Sequence, residues 1–320
     1  MFGVFSKYNY VYEVYKERNF TKAAEKLFIS QPSLSVAIKN IEKKLGAELF
    51  ERQGNAVELT EVGKEYIACA EKIMACEKDF INRMNDINNL QTGKLVVGGT
   101  NYLSSYVLPK VINRFSKLYP NIEIELVEAN SLALGEMVEK DQIDIIVDSF
   151  DDLNEYNGFF LASEEILLCV PKDREINNKL KKYQIDIEKI HKGTLDLKDI
   201  EAVSLELFKN ENFVLLKKGN DMYNRAIRFF REKNMDVKIS YRVDQLNISY
   251  ALADSGIGLC FITDTFLKYG GFSENVVLYK LSNGYYSRNL YVAYKKNKYC
   301  TKAMAEFIKI SKEILGQKGQ

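Results

Sequence analysis

The fold of the N-terminal region is decided by residues 19–46, NFTKAAEKLFISQPSLSVAIKNIEKKLG, in which SQPSLS separates two helical patterns. Ser30 is predicted to cap the second helix, since its hydroxyl can accept the backbone N–H of Ser33. Pro32 then falls in the first turn, where its missing N–H has no intrahelical partner to lose. The proline therefore starts a helix, and Gly46 is predicted to end it. The predicted core stripe of this helix is Leu34, Ile38, Ile41 and Leu45.

A shorter helix precedes this one. Its N-cap is predicted to be Thr21, and its buried side is predicted to consist of Ala23, Ala24 and Leu27. Another helix is predicted to end near Arg18, because tyrosines and valines recur before it at helical spacing. Two short helices joined by a turn of three or four residues, the second with a polar and cationic outer face, are typical of a helix-turn-helix.

Residues 47–60, AELFERQGNAVELT, predict a small β-hairpin, or wing, with its turn at residues 53–55 and alternating Val57 and Leu59. Arg52 and the wing tip are expected over a phosphate backbone, where cationic side chains position a protein on DNA. Polar side chains on the outer face of the preceding helix are expected to reach base edges or phosphates. The candidate DNA-contacting residues are Thr21, Lys22, Ser30, Gln31, Pro32, Ser33, Ser35, Lys39, Asn40, Lys43 and Arg52.

The sequence of residues 19–64 resembles that of the LysR-type transcriptional regulators, because SQPSLS, LG-ELFER and LTEVG follow one another in the family's order and spacing. The resemblance implies a winged helix-turn-helix that binds double-stranded DNA as part of a homodimer or homotetramer. Two features depart from the family. Asn55 stands near the place of a usual wing arginine, and residues 1–58 carry nine Lys and Arg against seven Asp and Glu. We therefore expect few phosphate contacts and a shallow salt dependence of DNA binding.

Residues 60–90 predict one long helix, since no proline interrupts them and apolar residues recur every three or four positions. The expected apolar seam is Val62, Tyr66, Cys69, Ile73, Cys76, Phe80, Met84 and Ile87. A stripe this narrow suits a coiled-coil partner, and the family resemblance implies a dimer linker. Cys69 and Cys76 are expected to fill this seam, because buried thiols are usually inert.

From residue 93 onward the pattern changes to alternating strands and helices, which predicts mostly parallel sheets. Residues 91–93 are the predicted hinge. One series runs from KLVVGGT to IDIIVDS, and a second runs from FVLLKKG to GLCFIT. EEILLCVPK lies between the two series, and NLYVAYKKN leads from the second into a closing helix. The layout resembles the effector domain of the LysR-type family and the periplasmic solute-binding proteins, with two lobes joined by two crossings.

A two-lobed α/β domain of this kind places a cleft at the carboxyl ends of its strands, where helix N-termini converge. By analogy with the family, the candidate effector contacts are Thr100, Asn101, Ser104, Ser131, Asp148 and Asp244. Several of these residues, Thr100, Ser104, Ser131 and Asp244, have a plainer alternative role as helix caps.

Residues 173–202 contain an insertion of roughly 20 residues relative to the family pattern, a length that is uncommon for a simple connection. It is polar and rich in lysine, with Ile185, Ile187 and Ile190 as scattered apolar positions. We interpret it as a solvated surface excursion, with a lid or partner surface beside the cleft as the alternative.

Several classes of function are excluded or disfavoured by composition. His191 is the only histidine, so a catalytic triad is disfavoured and a metal site built on several histidines is excluded. No phosphate-binding GxxxxGK[ST] or GxGxxG motif is present, and no cofactor is expected. The five cysteines form no CxxC pair, which indicates reduced thiols in a cytoplasm. The chain also has no apolar run of about 18 residues that could span a membrane.

Two other functions stay open beside a DNA-binding regulator. One is a small-molecule binding protein whose DNA-binding end has lost its role, which the small charge surplus favours. The other is a redox regulator that uses Cys169 and Cys260, although both fall in predicted buried strands and reactive thiols are usually partly exposed.

The predicted architecture combines an all-α winged helix-turn-helix over residues 1–59, a linker helix over 60–90 and a two-lobed α/β effector domain over 91–320. Lobe I is predicted to span about 93–162 and 286–320, and lobe II about 172–285. The predicted function is that of a transcriptional regulator, and not an enzyme, which a small-molecule effector controls. The predicted partners are operator DNA, the effector, further copies of this chain and RNA polymerase, without a metal or a membrane.

Overall fold

The computed structural model of the chain describes residues 3–53, 56–87, 93–282 and 284–316. The chain divides into two compact units, Met1–Met84 and Asn85–Gln320. The predicted hinge residues Gln91 and Thr92 and the wing-turn residues Gly54 and Asn55 lie outside the described residues.

The first unit is a helical bundle with a two-stranded antiparallel hairpin. Its elements are α1 Tyr8–Glu17, α2 Phe20–Lys26, α3 Gln31–Leu45, β1 Phe50–Gln53, β2 Ala56–Leu59 and α4 Glu61–Ile87. In the hairpin, Phe50 lies opposite Leu59 and Arg52 lies opposite Val57. The predicted order of three helices, wing and long helix is therefore observed.

Local capping sets where these helices begin and end. Ser30 caps α3 as predicted, with its hydroxyl accepting the N–H of Ser33 at 3.3 Å. Gly46 ends α3 in the left-handed region at φ 72°, where glycine has no Cβ to clash. The prediction that Thr21 caps α2 is wrong. The Asn19 side chain accepts the backbone N–H groups of Thr21 and Lys22 at 2.9 and 3.0 Å, so α2 begins earlier.

The core of the first unit lies between the three short helices and the start of α4. Of the predicted stripe, Leu34, Ile38 and Ile41 are buried, whereas Leu45 is 37% exposed. Leu45 is the last helical residue, and the neighbouring elements do not cover that end of α3. The fully buried residues of α1 are Val11 and Val14.

A close backbone contact joins α4 to the wing. The Thr60 hydroxyl accepts the N–H of Gly63 at 2.9 Å and donates to the carbonyl of Glu48 at 2.7 Å. A Cβ added at Gly63 would lie 2.1 Å from the carbonyl oxygen of Leu49. Only glycine permits this approach, which explains the glycine of the LTEVG segment.

The apolar residues of α4 divide between two faces. Tyr66, Ile67 and Ala70 pack into the core of the first unit. Cys69 and Cys76 are exposed in the single chain, so they do not fill a core within it. Large apolar side chains are also exposed farther along α4, namely Val62, Phe80, Ile81 and Met84. The side chain of Ile87 lies outside the described residues.

The second unit is the predicted α/β domain. Its strands are β3 Gly93–Gly99, β4 Ile122–Glu128, β5 Ile145–Ser149, β6 Tyr156–Pro171, β7 Gln184–Ile185, β8 Val203–Ser204, β9 Asn212–Leu216, β10 Lys238–Val243, β11 Cys260–Thr263, β12 Val276–Ser282 and β13 Ser287–Lys295. Its helices are α5 Leu108–Leu118, α6 Ser131–Glu139, α7 Ile176–Lys179, α8 Ile187–His191, α9 Asp221–Glu232, α10 Leu246–Asp254, α11 Asp264–Tyr269 and α12 Lys302–Leu315. A π-helical turn, Leu103–Val107, precedes α5.

Two lobes arise because β6 is long enough to pair in both of them. Its first part pairs antiparallel with β13, beside the parallel strands β4, β3 and β5. Its second part pairs antiparallel with β11 and β12, next to the parallel pair β9 and β10. The antiparallel strands β6, β12 and β13 thus join two parallel sets, and β12 is a strand that the sequence analysis did not predict.

The insertion at residues 173–202 is folded onto lobe II, so its interpretation as a solvated excursion is wrong. It adds β7 to the edge of β12, and α8 packs beside α11. Ile185 and Ile190 are buried together with Leu180 and Leu197. The ring Nδ1 of His191 lies 3.0 Å from the carbonyl oxygen of Leu267. These apolar contacts extend the core of lobe II.

Candidate functional site

The outer face of α3 carries most of the predicted DNA-contacting side chains. Ser33, Lys39, Asn40 and Lys43 are exposed there, while Ser35 is half-buried and accepts a hydrogen bond from the Gln31 amide at 2.9 Å. The remaining exposed candidates at the start of α2 and α3 are Thr21, Lys22, Ser30, Gln31 and Pro32. The backbone of Arg52 lies in β1, but its side chain lies outside the described residues.

The cationic residues on this face are available to a partner. Within the described residues, neither Lys39 nor Lys43 is held in an ion pair, whereas Lys26 is paired with Glu17 at 2.5 Å. The hydroxyls of Ser30 and Ser33 lie 2.7 Å apart and hold each other in place. The face therefore offers free ammonium groups and ordered hydroxyls, which suit phosphate oxygens and base edges.

Val36 also lies on this face, although it was not predicted to contact DNA. Its side chain is 59% exposed, and it shares a shallow depression with Pro32, Ser33 and Asn40. An exposed apolar side chain on a recognition helix can contact the methyl group of thymine. The signal that could have identified it is an apolar residue off the core stripe of α3.

The second site is a cleft between the lobes of the α/β domain. It lies at the carboxyl ends of four strands, β3 and β4 in lobe I and β9 and β10 in lobe II. The cavity has a volume of about 110 Å³. At its mouth the lobes touch, because the N–H of Leu132 donates to the carbonyl of Gly219 at 3.0 Å. This position agrees with the general rule that ligands bind at the carboxyl ends of the strands in parallel α/β sheets.

Four of the six predicted effector contacts line the cleft, namely Thr100, Asn101, Ser131 and Asp244. The other two do not line it. Ser104 is buried, and its hydroxyl donates to the carbonyl of Gly99 at 3.0 Å. Asp148 is buried behind Ser131, whose hydroxyl bonds to it. The prediction that Ser104 and Asp148 face the cleft is therefore wrong, because both side chains are engaged beneath its surface.

Two buried oxygen atoms of the cleft lack partners. Within the described residues, Thr100 Oγ1 and Asn101 Oδ1 form no hydrogen bond. Leaving a buried polar atom unsatisfied costs about 1–3 kcal/mol. Both residues follow directly after β3 and line the cavity. A bound molecule with suitable polar groups would remove this cost.

A buried network of charges lies beneath the cleft and crosses between the lobes. Arg288 of β13 donates to Glu164 of β6 at 2.7 Å, and these two residues lie opposite each other in the ladder. Arg288 also donates to Asp221 at 2.8 Å and to the Tyr102 hydroxyl at 2.7 Å. The Tyr102 hydroxyl in turn donates to Glu164 at 2.8 Å. The network ties the first residue of α9 in lobe II to lobe I.

Burial and the charge of Arg288 have opposite effects on the pKa values of two carboxyl groups near the cleft, those of Asp221 and Asp148. Burial favours the neutral form of Asp221, but Arg288 and Arg225 outweigh it and hold the pKa of Asp221 below its usual value. Burial raises the pKa of Asp148 to about 6, although the hydroxyl of Ser131 and the charge of Arg288 oppose the rise. Asp221 therefore stays ionised at neutral pH, where it receives hydrogen bonds from Ser149 and both arginines.

Several residues that line the cleft were not predicted from the sequence. The lining residues that it omitted include Tyr102, Glu128, Asn130, Asn220, Asp221 and Arg288. Glu128 and Asn130 end or follow a predicted strand, as the residues that were found do, so position alone could have identified them. Arg288 lies within an antiparallel strand, and nothing in its local sequence indicates a cleft.

Cys169 and Cys260 are opposite partners in the ladder between β6 and β11, and both are fully buried. Burial raises the pKa of the Cys169 thiol well above its usual range. Since the thiolate is the reactive form, this environment makes Cys169 a poor nucleophile. The pair is therefore best described as part of the core of lobe II.

None of the helices in the described ranges is long and apolar enough to cross a membrane. Across the same ranges, no group of three or more His, Cys, Asp or Glu residues is placed so that it could hold a metal ion.

Two family models match the chain. Residues 5–64 match the model described as "Bacterial regulatory helix-turn-helix protein, lysR family". Residues 88–316 match the model described as "LysR substrate binding domain". One match lies in each compact unit, and residues 65–87, most of α4, fall between the two.

Relatives and solved structures agree with these matches. An uncharacterized HTH-type transcriptional regulator, YcgK, of Bacillus subtilis (strain 168) is 28% identical over 309 residues, which are 96% of this chain and 94% of the relative. A probable RuBisCO transcriptional regulator of Phaeodactylum tricornutum is 26% identical over 298 residues, covering 91% and 90% of the two chains. The crystal structure of full-length CbnR complexed with its target DNA has a TM-score of 0.65 at 17% identity, covering 97% of this chain and 99% of that one. A full-length OxyR variant from Pseudomonas aeruginosa has a TM-score of 0.64 at 18% identity, with 97% of each chain covered.

Proposed function

Because the chain belongs to the LysR family of transcriptional regulators, we propose that it binds operator DNA through α3 and the wing under the control of a small molecule held between its lobes. Its role as a regulator, and not an enzyme, follows from that membership. The observation that carries the proposal is the pairing of a free cationic face on α3 with a cleft whose buried oxygen atoms lack partners.

DNA is recognised by two copies of the chain. The exposed apolar side chains of α4, among them Phe80 at 65% exposed, support pairing of two such helices. A symmetric dimer presents two recognition helices, so it reads a roughly palindromic site with half-sites about one helical turn apart or multiples of that. Further pairing of effector domains produces a tetramer. The regulator works in the cytoplasm, where RNA polymerase is the further partner that it recruits or excludes.

The effector acts by binding one arrangement of the lobes better than the other, because a ligand with equal affinity for both states shifts nothing. Contacts across the cleft support such a switch. The bond from Leu132 to Gly219 closes the mouth of the cleft, and the network around Arg288 joins the lobes beneath it. A ligand that satisfies Thr100 and Asn101 favours this closed arrangement.

The DNA-binding assignment is tested with three substitutions in α3. Ser33→Ala and Lys39→Ala remove exposed polar groups and are expected to weaken operator binding while the protein stays folded. Ile38→Asp places a charge in the core and is expected to unfold the first unit. Operator fragments selected from random DNA serve for mobility shifts, and circular dichroism reports folding.

The matched control is Lys209→Ala, an exposed lysine in the other unit. Operator affinity equal to that for scrambled DNA at physiological salt would contradict the proposal. It would favour a small-molecule binding protein that has lost its DNA-binding role. A steep decline of affinity with salt would contradict the expectation of few phosphate contacts.

A further inference from the structure

We propose that the effector is a small organic cation, a compound with a protonated amine, and not a carboxylate or a phosphate. This inference rests on the proposed function, since it names the ligand class of the same cleft. It follows from the charges, the unsatisfied atoms and the size of that cleft.

The charged side chains that line the cavity are mostly acidic. Three carboxylates, Glu128, Asp221 and Asp244, line it with one guanidinium, Arg288, and Asp221 is already paired with Arg288 and Arg225. Within the described residues, Glu128 has no ion pair, and Asp244 is paired only with Lys217 at the surface. An exposed pair of this kind contributes little and is easily exchanged. The cavity therefore attracts positive charge.

Arg288 is already engaged with groups of the protein. Its side chain is 4% exposed, and its guanidinium already donates to Glu164, Asp221 and the hydroxyl of Tyr102. Glu164 and Asp221 thus hold Arg288, and Asp221 also holds Arg225, before any ligand arrives. An anionic ligand would add a third negative charge beside Arg288 and would be repelled by Glu128.

Helix N-termini ordinarily attract anions, and three of those around the cleft already have protein carboxylates beside them. Asp221 is the first residue of α9, and Arg288 and Arg225 keep it ionised. Asp148 lies behind Ser131 at the start of α6. Asp244 stands two residues before α10 begins. At these three helices the usual anion position is therefore occupied by the chain itself.

The unsatisfied atoms point to the same ligand class. Asn101 Oδ1 is an acceptor, and Thr100 Oγ1 can accept as well. A protonated amine carries three N–H donors and no acceptor, so its chemistry suits acceptor oxygens and carboxylates of the kinds that line this cavity. The cavity of about 110 Å³ is smaller than the roughly 150 Å³ that holds benzene. The enclosed part of the ligand is therefore small.

Matched pairs of small compounds test the inference on the full-length protein. Propylamine is compared with propionate, 1,3-diaminopropane with malonate, and β-alanine is added as the zwitterion. Thermal denaturation and calorimetric titration measure binding, and the mobility shift of operator DNA is recorded with each compound. The variants are Glu128→Gln and Asp244→Asn in the cleft. Glu136→Gln serves as the control, because Glu136 is an exposed glutamate on α6 outside the cleft.

We expect the amines to raise the melting temperature and the matching acids to leave it unchanged. Each cleft variant is expected to weaken amine binding about tenfold, the size of one charge-assisted hydrogen bond, while Glu136→Gln binds as the wild type does. Binding of the acids alone, of β-alanine alone or of none of the probes would overturn the inference. The same holds if all three variants weaken amine binding equally.

The DNA arm separates this inference from the proposed function. If an acid, and not an amine, alters operator affinity, the ligand class is wrong and effector control stands. If amines bind in the cleft but operator affinity does not change, the ligand class is supported and the proposal that this ligand controls DNA binding is contradicted.

Discussion

Glu164→Gln tests the buried network that joins the lobes. Glu164 is fully buried and receives hydrogen bonds from Arg288 at 2.7 Å and from the Tyr102 hydroxyl at 2.8 and 3.0 Å. Glutamine keeps the shape but removes the charge, which leaves a buried arginine with one carboxylate fewer. Removing one partner of a buried pair costs about 3–5 kcal/mol. Asp221 still faces Arg288, so we expect the lower end, about 3 kcal/mol.

Differential scanning calorimetry converts this cost into a melting temperature. For a unit of this size, 1 kcal/mol corresponds to about 2–4 °C, so the transition of the α/β unit should fall by roughly 6–12 °C. The transition of the first unit should not move, because it contains no member of the network. In the double variant Glu164→Gln/Arg288→Met, the loss should be smaller than the sum of the single losses.

The matched control is Glu201→Gln. Glu201 forms an ion pair with Lys182 at 3.0 Å, but both side chains are 66% exposed. Such pairs contribute about 0–1 kcal/mol, so the melting temperature should change by less than about 4 °C. An equally small change for Glu164→Gln would contradict the prediction, since it would mean that the network adds nothing to stability.

Three further predictions concern other parts of the chain. Gly63→Ala should destabilise the first unit by more than about 2 kcal/mol in urea unfolding, because the new Cβ would lie 2.1 Å from the carbonyl oxygen of Leu49. The control is Gly271→Ala, because a Cβ at Gly271 would have open space around it. Equal destabilisation by the two substitutions would contradict this prediction. Val36→Ser should lower operator affinity severalfold through loss of a thymine methyl contact, with stability within about 0.5 kcal/mol. Operators with uracil in place of thymine should show the same loss for the wild type and no added loss for the variant; wild-type binding that ignores uracil would contradict this contact. Burial, together with the negative charge of Glu164, raises the pKa of Asp264 to about 7. The neutral carboxyl of Asp264 therefore stabilises the folded protein fully below pH ~4, and this stabilisation is lost as the pH rises through 7. Asp264→Asn should therefore match the wild type near pH 4 and gain on the order of 2–4 kcal/mol over it at pH 8, whereas a gain that is independent of pH would be inconsistent with this cause.

The elements that the sequence predicted well are those specified by neighbours within a few residues. The start and end of α3 follow from Ser30, Pro32 and Gly46, which act on the adjacent backbone. The strands of the α/β unit follow from short apolar runs, because a strand buried on both faces needs them. The cap of α2 shows where such reasoning fails even locally. Asn19 and Thr21 can both cap a helix, and the choice between them depends on where the preceding helix ends.

The candidate cleft could be predicted only in part. Thr100, Asn101, Ser131 and Asp244 were expected there by analogy with the family, and in the structure each follows a strand whose carboxyl end lies at the cleft. Ser104 and Asp148 satisfy similar sequence criteria, yet they point into the structure beneath the cleft. Position along the chain places a residue near the edge of a sheet, but it does not decide which way the side chain turns.

By itself, the sequence determined the order of the elements, the winged helix-turn-helix and the two-lobed α/β plan, because capping, periodicity and turn residues act over short distances. Tertiary structure alone decided the rest. Arg288 meets Glu164 across 124 residues of chain, and the insertion at 173–202 folds because β12 and α11 offer an edge and an apolar face. Such contacts depend on surfaces that exist only after both lobes have formed, so no local pattern encodes the charge of the cleft or its ligand.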